Sequence, residues 1–181
     1  MLYPRLILES FDNVKTQIRD PKSFRESEIQ DIIQLYNYLQ KDNVKYNSKL
    51  RMTLNSDEKS EYTFSDFKKV ILRPRPGVIL QRFITAELDG HIIGLINYRE
   101  YDESGTEYPG RQAFIPDVVV HPQFRKLGIG SKMFETLKYW VKKSRPIVMM
   151  FIGVMASNPG GIALYSKYGF YPINQLMVCK L

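Results

Sequence analysis

The spacing of hydrophobic residues changes along the chain and separates extended segments from helical ones. β-Branched and aromatic residues fill Val78–Leu88 and residues 91–101, on either side of Asp89-Gly90. An Asp-Gly pair between two such runs is a strong β-hairpin signal, so we predict a hairpin there. Residues 113–120 read as a further strand. The continuous apolar run 147–155 predicts a strand buried on both faces.

Helical spacing appears in four other segments. Apolar residues recur every three or four positions over residues 28–40, with Ser27 as the predicted N-cap, and again over residues 128–143. Shorter helices are predicted over residues 63–72, which two prolines follow, and within residues 156–168. Residues 41–62 are polar and read as a long loop with some helix.

The order of these elements predicts a mixed α/β sheet with helices on its faces. An alternating segment at 14–19 supplies a first strand, and residues 170–181 supply one or two last strands. The chain has no internal repeat, low-complexity tract or Gly/Ser linker, so we predict one domain over residues 1–181. Residues 102–111 are predicted to form an acidic loop. Its Asp102, Glu103 and Glu107 could attract a cationic ligand, but a solvated hairpin loop is the favoured interpretation.

Composition places the chain among globular proteins. Hydrophobic residues make up 44% and charged residues 25% of the 181 positions, as in soluble folded domains. The longest apolar run is shorter than the roughly 20 residues of a bilayer span, and the first residues do not resemble a signal peptide. We therefore expect a cytoplasmic protein without a membrane partner.

The net charge of +7 is concentrated in the last third of the chain. Acids and bases nearly balance up to His121. Beyond it the only acid is Glu135, against Arg125, Lys126, Lys132, Lys138, Lys142, Lys143, Arg145, Lys167 and Lys180. This excess suits a small polyanion as well as a nucleic acid, and part of it is ordinary solvated helix surface.

A glycine-containing turn lies between the strand ending at Val120 and the following helix. Unpaired N–H groups at a helix start bind anions, and glycines let a phosphate approach the backbone. A dinucleotide site is disfavoured because Met133 replaces the third glycine of Gly-x-Gly-x-x-Gly, and no Walker A lysine follows. The turn formed by Arg125, Lys126, Leu127, Gly128, Ile129, Gly130 and Ser131 is therefore predicted to bind an anion such as a phosphate group.

A second motif, residues 158–170, places a tyrosine on a helix just after the apolar strand 147–155. The strand ending in valines, the Arg-x-x-Gly-x-Gly turn, the asparagine and the Leu-Tyr-x-Lys-x-Gly-Phe segment resemble the GNAT superfamily of N-acetyltransferases. The close resemblance covers about residues 115–171. It implies an α/β fold with a mixed, mostly antiparallel sheet of about six or seven strands, flanked by about four helices. It also implies an enzyme that moves acetyl from acetyl-CoA directly to a primary amine.

The resemblance further implies a role for each matching residue. Val118, Val119 and Val120 would bind the pantetheine arm through their backbone, and Asn158 would contact it from the opposite side. The turn of residues 125–131 would hold the pyrophosphate of the cofactor. Tyr165 would give a proton to the departing thiolate, at small cost for a phenol with a pKa of about 10 and a thiol near 8.5. No metal ion takes part.

Each of these residues also has a purely structural interpretation. Tyr165 could be a core tyrosine, Asn158 a helix N-cap, and Gly128 and Gly130 a closely packed helix start. His121, followed by proline at a strand end, reads better as a turn residue than as a base.

The general base is the role that the sequence identifies least directly. Some family members carry a glutamate before the aspartate on the strand that precedes the turn, but Pro116 occupies that position here. Others carry a glutamate five residues before the asparagine, where this chain has Gly153. Asp117 remains the candidate base, acting directly or through water. A structural carboxylate is the competing interpretation.

Three functions follow from these observations, and the enzyme is the leading one. Its acceptor would be a small-molecule or protein amine that the sequence does not identify. The unfilled glutamate positions favour a CoA-binding regulatory module that has lost catalysis. A nucleic-acid-directed protein using the basic last third is the third reading, without a recognition motif to support it. The sequence does not decide whether the chain forms a homodimer, in which residues 176–181 could serve as an edge strand exchanged between the two copies.

Overall fold

The central hairpin forms where the alternating pattern predicts it. Val78–Leu88 (β2) and His91–Asp102 (β3) pair antiparallel, with Leu88 opposite His91. Asp89 and Gly90 both have positive φ, at 50° and 81°. Two successive residues of this conformation match the right-handed twist of the paired strands. The computed structural model describes residues 13–46, 61, 63–67, 69, 75–102, 110–144 and 146–175.

Five strands of the described residues form one sheet in the order β1-β2-β3-β4-β5. The other three strands are Lys15–Arg19 (β1), Arg111–Val120 (β4) and Ile147–Ile152 (β5). The first three pairings are antiparallel and the β4–β5 pairing is parallel, so the sheet is mixed and mostly antiparallel.

In the described part of the chain, four α-helices accompany the sheet, and its core forms two clusters. They are Glu26–Tyr46 (α1), Phe64–Phe67 (α2), Ile129–Ser144 (α3) and Pro159–Lys167 (α4). One cluster lies between α1, α2 and one face of the sheet and is built from side chains such as Leu35, Phe67 and Phe83. The other lies between α3, α4 and the opposite face, around residues such as Tyr98 and Phe134.

The mixed, mostly antiparallel sheet and the four helices are confirmed, but the described residues form five strands rather than the predicted six or seven. The missing strands were predicted over residues 170–181. Residues 171–175 form no strand of the sheet. Residues 176–181, which include the candidate exchanged edge, lie outside the described residues. The acidic-loop positions Glu103 and Glu107 also lie outside them. Helix α1 is longer than predicted and reaches Tyr46.

Strand β5 is the edge strand of the described sheet, which corrects the prediction of burial on both faces. Val148 is 56% exposed and Met149 is 36% exposed. A continuous apolar run does not distinguish a strand buried on both faces from one at an edge.

A buried carboxylate attaches the start of α1 to β1. Glu28 is the third residue of the helix and accepts from the backbone N–H of Arg25 at 2.7 Å, which is half of a capping box. Arg25, rather than the predicted Ser27, is therefore the N-cap. The Arg19 guanidinium donates to both Glu28 oxygens, at 3.1 and 3.2 Å. Burial alone would raise the pKa of Glu28, but the hydrogen bonds from Arg19 and Arg25 lower it to about 2.

We expect Glu28→Gln to lower the free energy of unfolding by about 3 kcal/mol at pH 7, since a fall in pKa from 4.5 to about 2 corresponds to roughly that stabilisation. Because the folded-state pKa is depressed, the contribution is complete above pH 4.5 and is lost as the pH falls towards 2. Urea unfolding between pH 3 and 7 measures it. Glu26→Gln, at an exposed position of the same turn, is the control. Equal stabilities of the two variants would contradict the expectation.

A bulge in β4 marks the point where this strand separates from β5. Asn97 and Arg99 of β3 are two residues apart, but their partners Asp117 and Phe114 are three apart, so β4 carries one extra residue. Pro116 lies within the bulge, where its missing N–H removes no ladder bond. The β4–β5 pairing ends at Ile115 and Ile152, whereas β4 continues to Val120.

Candidate functional site

The last residues of β4 present a free strand edge. Val118, Val119 and Val120 pair with β3 on one side, and within the described residues no strand pairs with the other side. Side chains alternate between the two cores: Val119 packs under α1, while Val118 and Val120 pack on the α3 side. An unpaired edge can accept an extended ligand with amide groups through backbone hydrogen bonds.

The turn beyond Val120 leads directly into α3. It begins with a short 3₁₀ segment, Pro122–Phe124, whose Phe124 side chain is buried in the core. Lys126 and Gly128 follow with positive φ, at 62° and 81°. The first bond of the helix runs from the Lys132 N–H to the Gly128 carbonyl at 3.0 Å. The N–H groups of residues 129–131 therefore precede the helical ladder, as in an anion site at a helix start.

The two glycines of the turn serve different purposes. A Cβ built on Gly128 meets no atom within 4 Å, so the space in front of the backbone is open, and the positive φ explains the glycine. A Cβ on Gly130 would lie 3.1 Å from Leu164 of α4. Gly130 thus allows α3 and α4 to pack closely, while Gly128 leaves the approach to the turn free.

The charged residues of the turn are not equally available. Arg125 donates from Nε to the Val120 carbonyl at 2.9 Å and forms a 2.8 Å ion pair with Asp42 of α1. Lys126 is exposed, and the Lys167 ammonium of α4 lies 3.2 Å from the Ser131 hydroxyl. Arg125 therefore braces the turn, whereas Lys126 and Lys167, which are also at the turn, form no ion pair with a carboxylate among the described residues.

The end of α1 holds both sides of the opening between β4 and β5. Asp42 binds the turn through Arg125, and the Tyr46 carbonyl accepts from the Ser157 hydroxyl at 2.7 Å. Sequence periodicity missed this part of α1 because residues 41–46 are mostly polar.

Asn158 is the N-cap of α4. Its Oδ1 accepts from the Gly161 N–H at 3.0 Å, which satisfies one of the unpaired donors of the helix start. A Cβ at position 161 would lie 2.8 Å from the Asn158 amide nitrogen, so a side chain there would displace the capping amide. Asn158 therefore has the structural role of a helix N-cap, and its side-chain amide lies at the loop between β5 and α4.

Tyr165 is buried in the core cluster on the α3 side, with the rings of Phe134 and Phe170 at 5.7 and 6.2 Å. Val118, Val120 and Ile152 border the same cluster. Among the described residues, its hydroxyl has no hydrogen-bond partner. Burial raises the pKa of Tyr165 to about 12, so the phenol is a weaker acid than the sequence alone suggests.

Asp117 lies on the opposite face of β4, in a cluster of polar side chains that the sequence did not reveal. Its Oδ2 accepts from the Tyr36 hydroxyl and from the Asn97 amide, both at 2.9 Å. Gln81 of β2 extends the cluster by donating to Asn97 Oδ1 at 3.0 Å. In the sequence, only Asn97 indicated a buried polar site, because it is a polar residue within an apolar run of β3. Tyr36 gave no such indication, because it belongs to the apolar stripe of α1.

The structure thus places Tyr165 and Asp117 on the two sides of the free β4 edge. Asp117 faces α1, whereas Tyr165, on α4, lies in the core cluster on the opposite side of the sheet, which Val118 and Val120 border. A reacting group held along this edge would have a carboxylate on one side and a phenol on the other.

His121 is a turn residue, as expected. It caps the 3₁₀ segment and lies edge-on to Tyr38, with ring centroids 4.9 Å apart. Burial and the neighbouring Arg125 lower the pKa of His121, which Asp31 raises to a smaller extent.

Comparison with known proteins identifies acetyltransferases among the relatives of this chain. The family model described as the acetyltransferase (GNAT) family matches residues 34–170. An N-alpha-acetyltransferase of Sulfurisphaera tokodaii is 30% identical over 98 residues, which are 52% of this chain and 59% of that protein. The match therefore spans less than two thirds of that relative.

Solved structures share the fold at low sequence identity. A tetramutant of the BH1408 protein of Bacillus halodurans has a TM-score of 0.71 at 14% identity, covering 92% of this chain and 99% of the other. An aminoglycoside acetyltransferase from an uncultured soil metagenomic sample, solved with trehalose, has a TM-score of 0.59 at 14% identity, with 96% and 98% coverage. Within the described ranges, no helix has the length and apolar character needed to cross a bilayer.

Proposed function

Because the chain belongs to the acetyltransferase (GNAT) family, we propose that it transfers an acetyl group from acetyl-CoA directly to a primary amine. The observation that carries the proposal is the continuity of the free β4 edge with the turn at the start of α3. An edge that binds amides, followed by a helix start that binds phosphates, matches the order of groups along coenzyme A.

The residues present fit this co-substrate. The open space at Gly128 leaves room for a pyrophosphate against the N–H groups of residues 129–131, with Lys126 and Lys167 nearby. The edge formed by Val118, Val119 and Val120 would bind the pantetheine amides. Acetyl-CoA would supply an activated thioester, and the remaining chemistry belongs to side chains of this protein.

Tyr165 would assist departure of the thiolate by hydrogen bonding. With a pKa of about 12, the phenol is a weaker acid than a thiol near 8.5, so complete proton transfer is unfavourable by about 5 kcal/mol. A donated hydrogen bond still stabilises charge developing on sulfur in a buried site. The hydroxyl is available for this role because it has no partner among the described residues.

Asp117 would receive the acceptor amine from the α1 side. Tyr36 and Asn97 both donate hydrogen bonds to Oδ2 of Asp117, and these bonds fix the orientation of the carboxylate. The carboxylate can attract an ammonium group and take up its proton, directly or through water, before the amine attacks. The name of the Sulfurisphaera tokodaii relative favours an α-amine as the acceptor.

The first experiment is a screen of amines with purified protein and acetyl-CoA, read as released thiol and as acetylated product. Small amines, amino acids and peptides with free N-termini form the panel. Acetylated product from any of them supports the enzyme. Binding of acetyl-CoA without product from any acceptor favours the non-catalytic CoA-binding module.

We expect Asp117→Asn to lower kcat/KM for the amine by about 10- to 100-fold near neutral pH, because the amide cannot accept a proton. The dissociation constant of acetyl-CoA should change less than threefold, since Asp117 faces away from the turn. Adding Gln81→Glu to Asp117→Asn restores a carboxylate at the edge of the same cluster and tests whether negative charge alone replaces Asp117. An Asp117→Asn variant with unchanged kcat/KM would show that the base lies elsewhere.

A further inference from the structure

Arg99 is a buried cation that the proposed chemistry does not use. The residue is 4% exposed, and within the described part of the chain its Nε is buried without a hydrogen-bond partner. Among the described residues, the Arg99 guanidinium group as a whole forms neither a hydrogen bond nor an ion pair. Arg19, Arg82 and Arg125, by contrast, each pair with a carboxylate. A buried charge without a partner is strongly destabilising, so its presence indicates a ligand that is charged oppositely.

The register of the sheet places Arg99 on the same face as Asp117. Asn97 pairs with Asp117, and Arg99 follows Asn97 by two residues, so both β3 side chains lie on the α1 side. Arg99 and Asp117 are therefore diagonal neighbours on adjacent strands, on either side of the β4 bulge. Gln81, which lies opposite Arg99 on β2, belongs to the same polar cluster.

The two opposite charges do not neutralise each other. Asp117 Oδ2 accepts from Tyr36 and Asn97, and its Oδ1 has no hydrogen-bond partner among the described residues. The sheet face therefore carries a carboxylate and a guanidinium that are close but separate. This arrangement is complementary to a molecule with an ammonium group and an anionic group a few bonds apart.

We propose that Arg99 binds a carboxylate of the amine acceptor, so that the substrate class is an amine bearing a nearby carboxylate. The inference rests on the proposed acetyl transfer, in which Asp117 receives the amine. The carboxylate can come from a free amino acid or from an acidic residue at the N-terminus of a peptide. A guanidinium group binds either one through paired N–H donors.

Matched acceptors distinguish these sources. One arm compares free amino acids with their amides, and the other compares peptides beginning with glutamate with those beginning with glutamine. We expect the carboxylate member of at least one pair to have a kcat/KM about 10- to 100-fold higher. Arg99→Gln should reduce that preference below threefold. Arg82→Gln, which removes the same charge from the face that carries Tyr98, should keep it.

A stability measurement provides a readout that does not depend on activity. If Arg99 serves a ligand rather than the fold, Arg99→Met should leave the urea midpoint of the free protein unchanged or raise it, because an unpaired buried charge is removed. Arg19→Met, which breaks two carboxylate contacts, should lower it. An Arg99→Met midpoint that falls as far as that of Arg19→Met would overturn the inference.

The kinetic outcomes separate this inference from the proposed function. Acetylation of amines without preference for a carboxylate, or a preference that survives Arg99→Gln, overturns the role of Arg99 and leaves acetyl transfer standing. A wild-type protein that acetylates no amine contradicts the proposed function, and the substrate class fails with it.

Discussion

Gly128→Glu is expected to weaken acetyl-CoA binding at least 100-fold. The substitution places a carboxylate in the open space in front of the N–H groups of residues 129–131, where the pyrophosphate would lie. Two like unit charges 4 Å apart near a protein surface repel by about 4 kcal/mol, and 100-fold corresponds to about 2.7 kcal/mol. The glutamate side chain would also prevent the pyrophosphate from approaching the backbone closely.

Two controls separate this effect from backbone strain. Gly128→Ala has the same positive φ, at a cost of roughly 1–2 kcal/mol in stability, but adds neither charge nor length. Gly90→Glu adds the same side chain at a glycine with the same φ of 81° and equally open surroundings, in the hairpin turn. Both should bind acetyl-CoA within about tenfold of wild type. Equal affinities of Gly128→Glu and Gly90→Glu would exclude the turn as the pyrophosphate site.

Tyr165→Phe is expected to lower kcat about 100-fold and to change the KM for acetyl-CoA by less than threefold. The hydroxyl would act only when charge develops on the departing sulfur, so its loss falls on the chemical step. Because burial raises the pKa of Tyr165 to about 12, the phenol should stay protonated, and kcat should show no decline from it below about pH 10. The stability of the variant should equal or exceed that of wild type, since no hydrogen bond is lost.

Tyr168→Phe is the matched control for Tyr165→Phe. The Tyr168 hydroxyl contacts the Ser131 carbonyl at 2.9 Å and the Glu135 carboxylate at 3.0 Å. Its removal should lower the free energy of unfolding by about 1 kcal/mol, with a smaller effect on kcat than Tyr165→Phe. A kcat that is the same in Tyr165→Phe and wild type would assign Tyr165 to packing alone.

Local patterns predicted much of the fold because local physics determines those parts. The Asp89-Gly90 turn needs two positive φ angles, and the sequence supplies residues that tolerate them. The Gly128 turn likewise depends on residues adjacent in sequence. Arg125 shows the limit of such patterns, because the sequence indicates its charge but not its ion pair with Asp42, 83 positions earlier.

Features that depend on contacts between distant segments were not predictable in this way. Asp117, Asn97 and Tyr36 meet only because α1 crosses β3 and β4, and no spacing rule relates residues 20 and 81 positions apart. Burial also changed the chemistry of Tyr165, whose pKa of about 12 reflects the core around it rather than its neighbours in sequence. The length of α1 was missed because its last turns are polar and are held by Arg125 and Ser157.

Calorimetric titration of the purified wild-type chain with acetyl-CoA shows whether the β4 edge and the turn at the start of α3 form a binding site for this co-substrate. We expect saturable binding with one acetyl-CoA per chain, lost or strongly weakened in Gly128→Glu and retained in Gly90→Glu. A wild-type protein that unfolds cooperatively in urea but binds neither acetyl-CoA nor CoA would contradict the acetyltransferase proposal. The basic last third of the chain would then be tested for nucleic-acid binding instead.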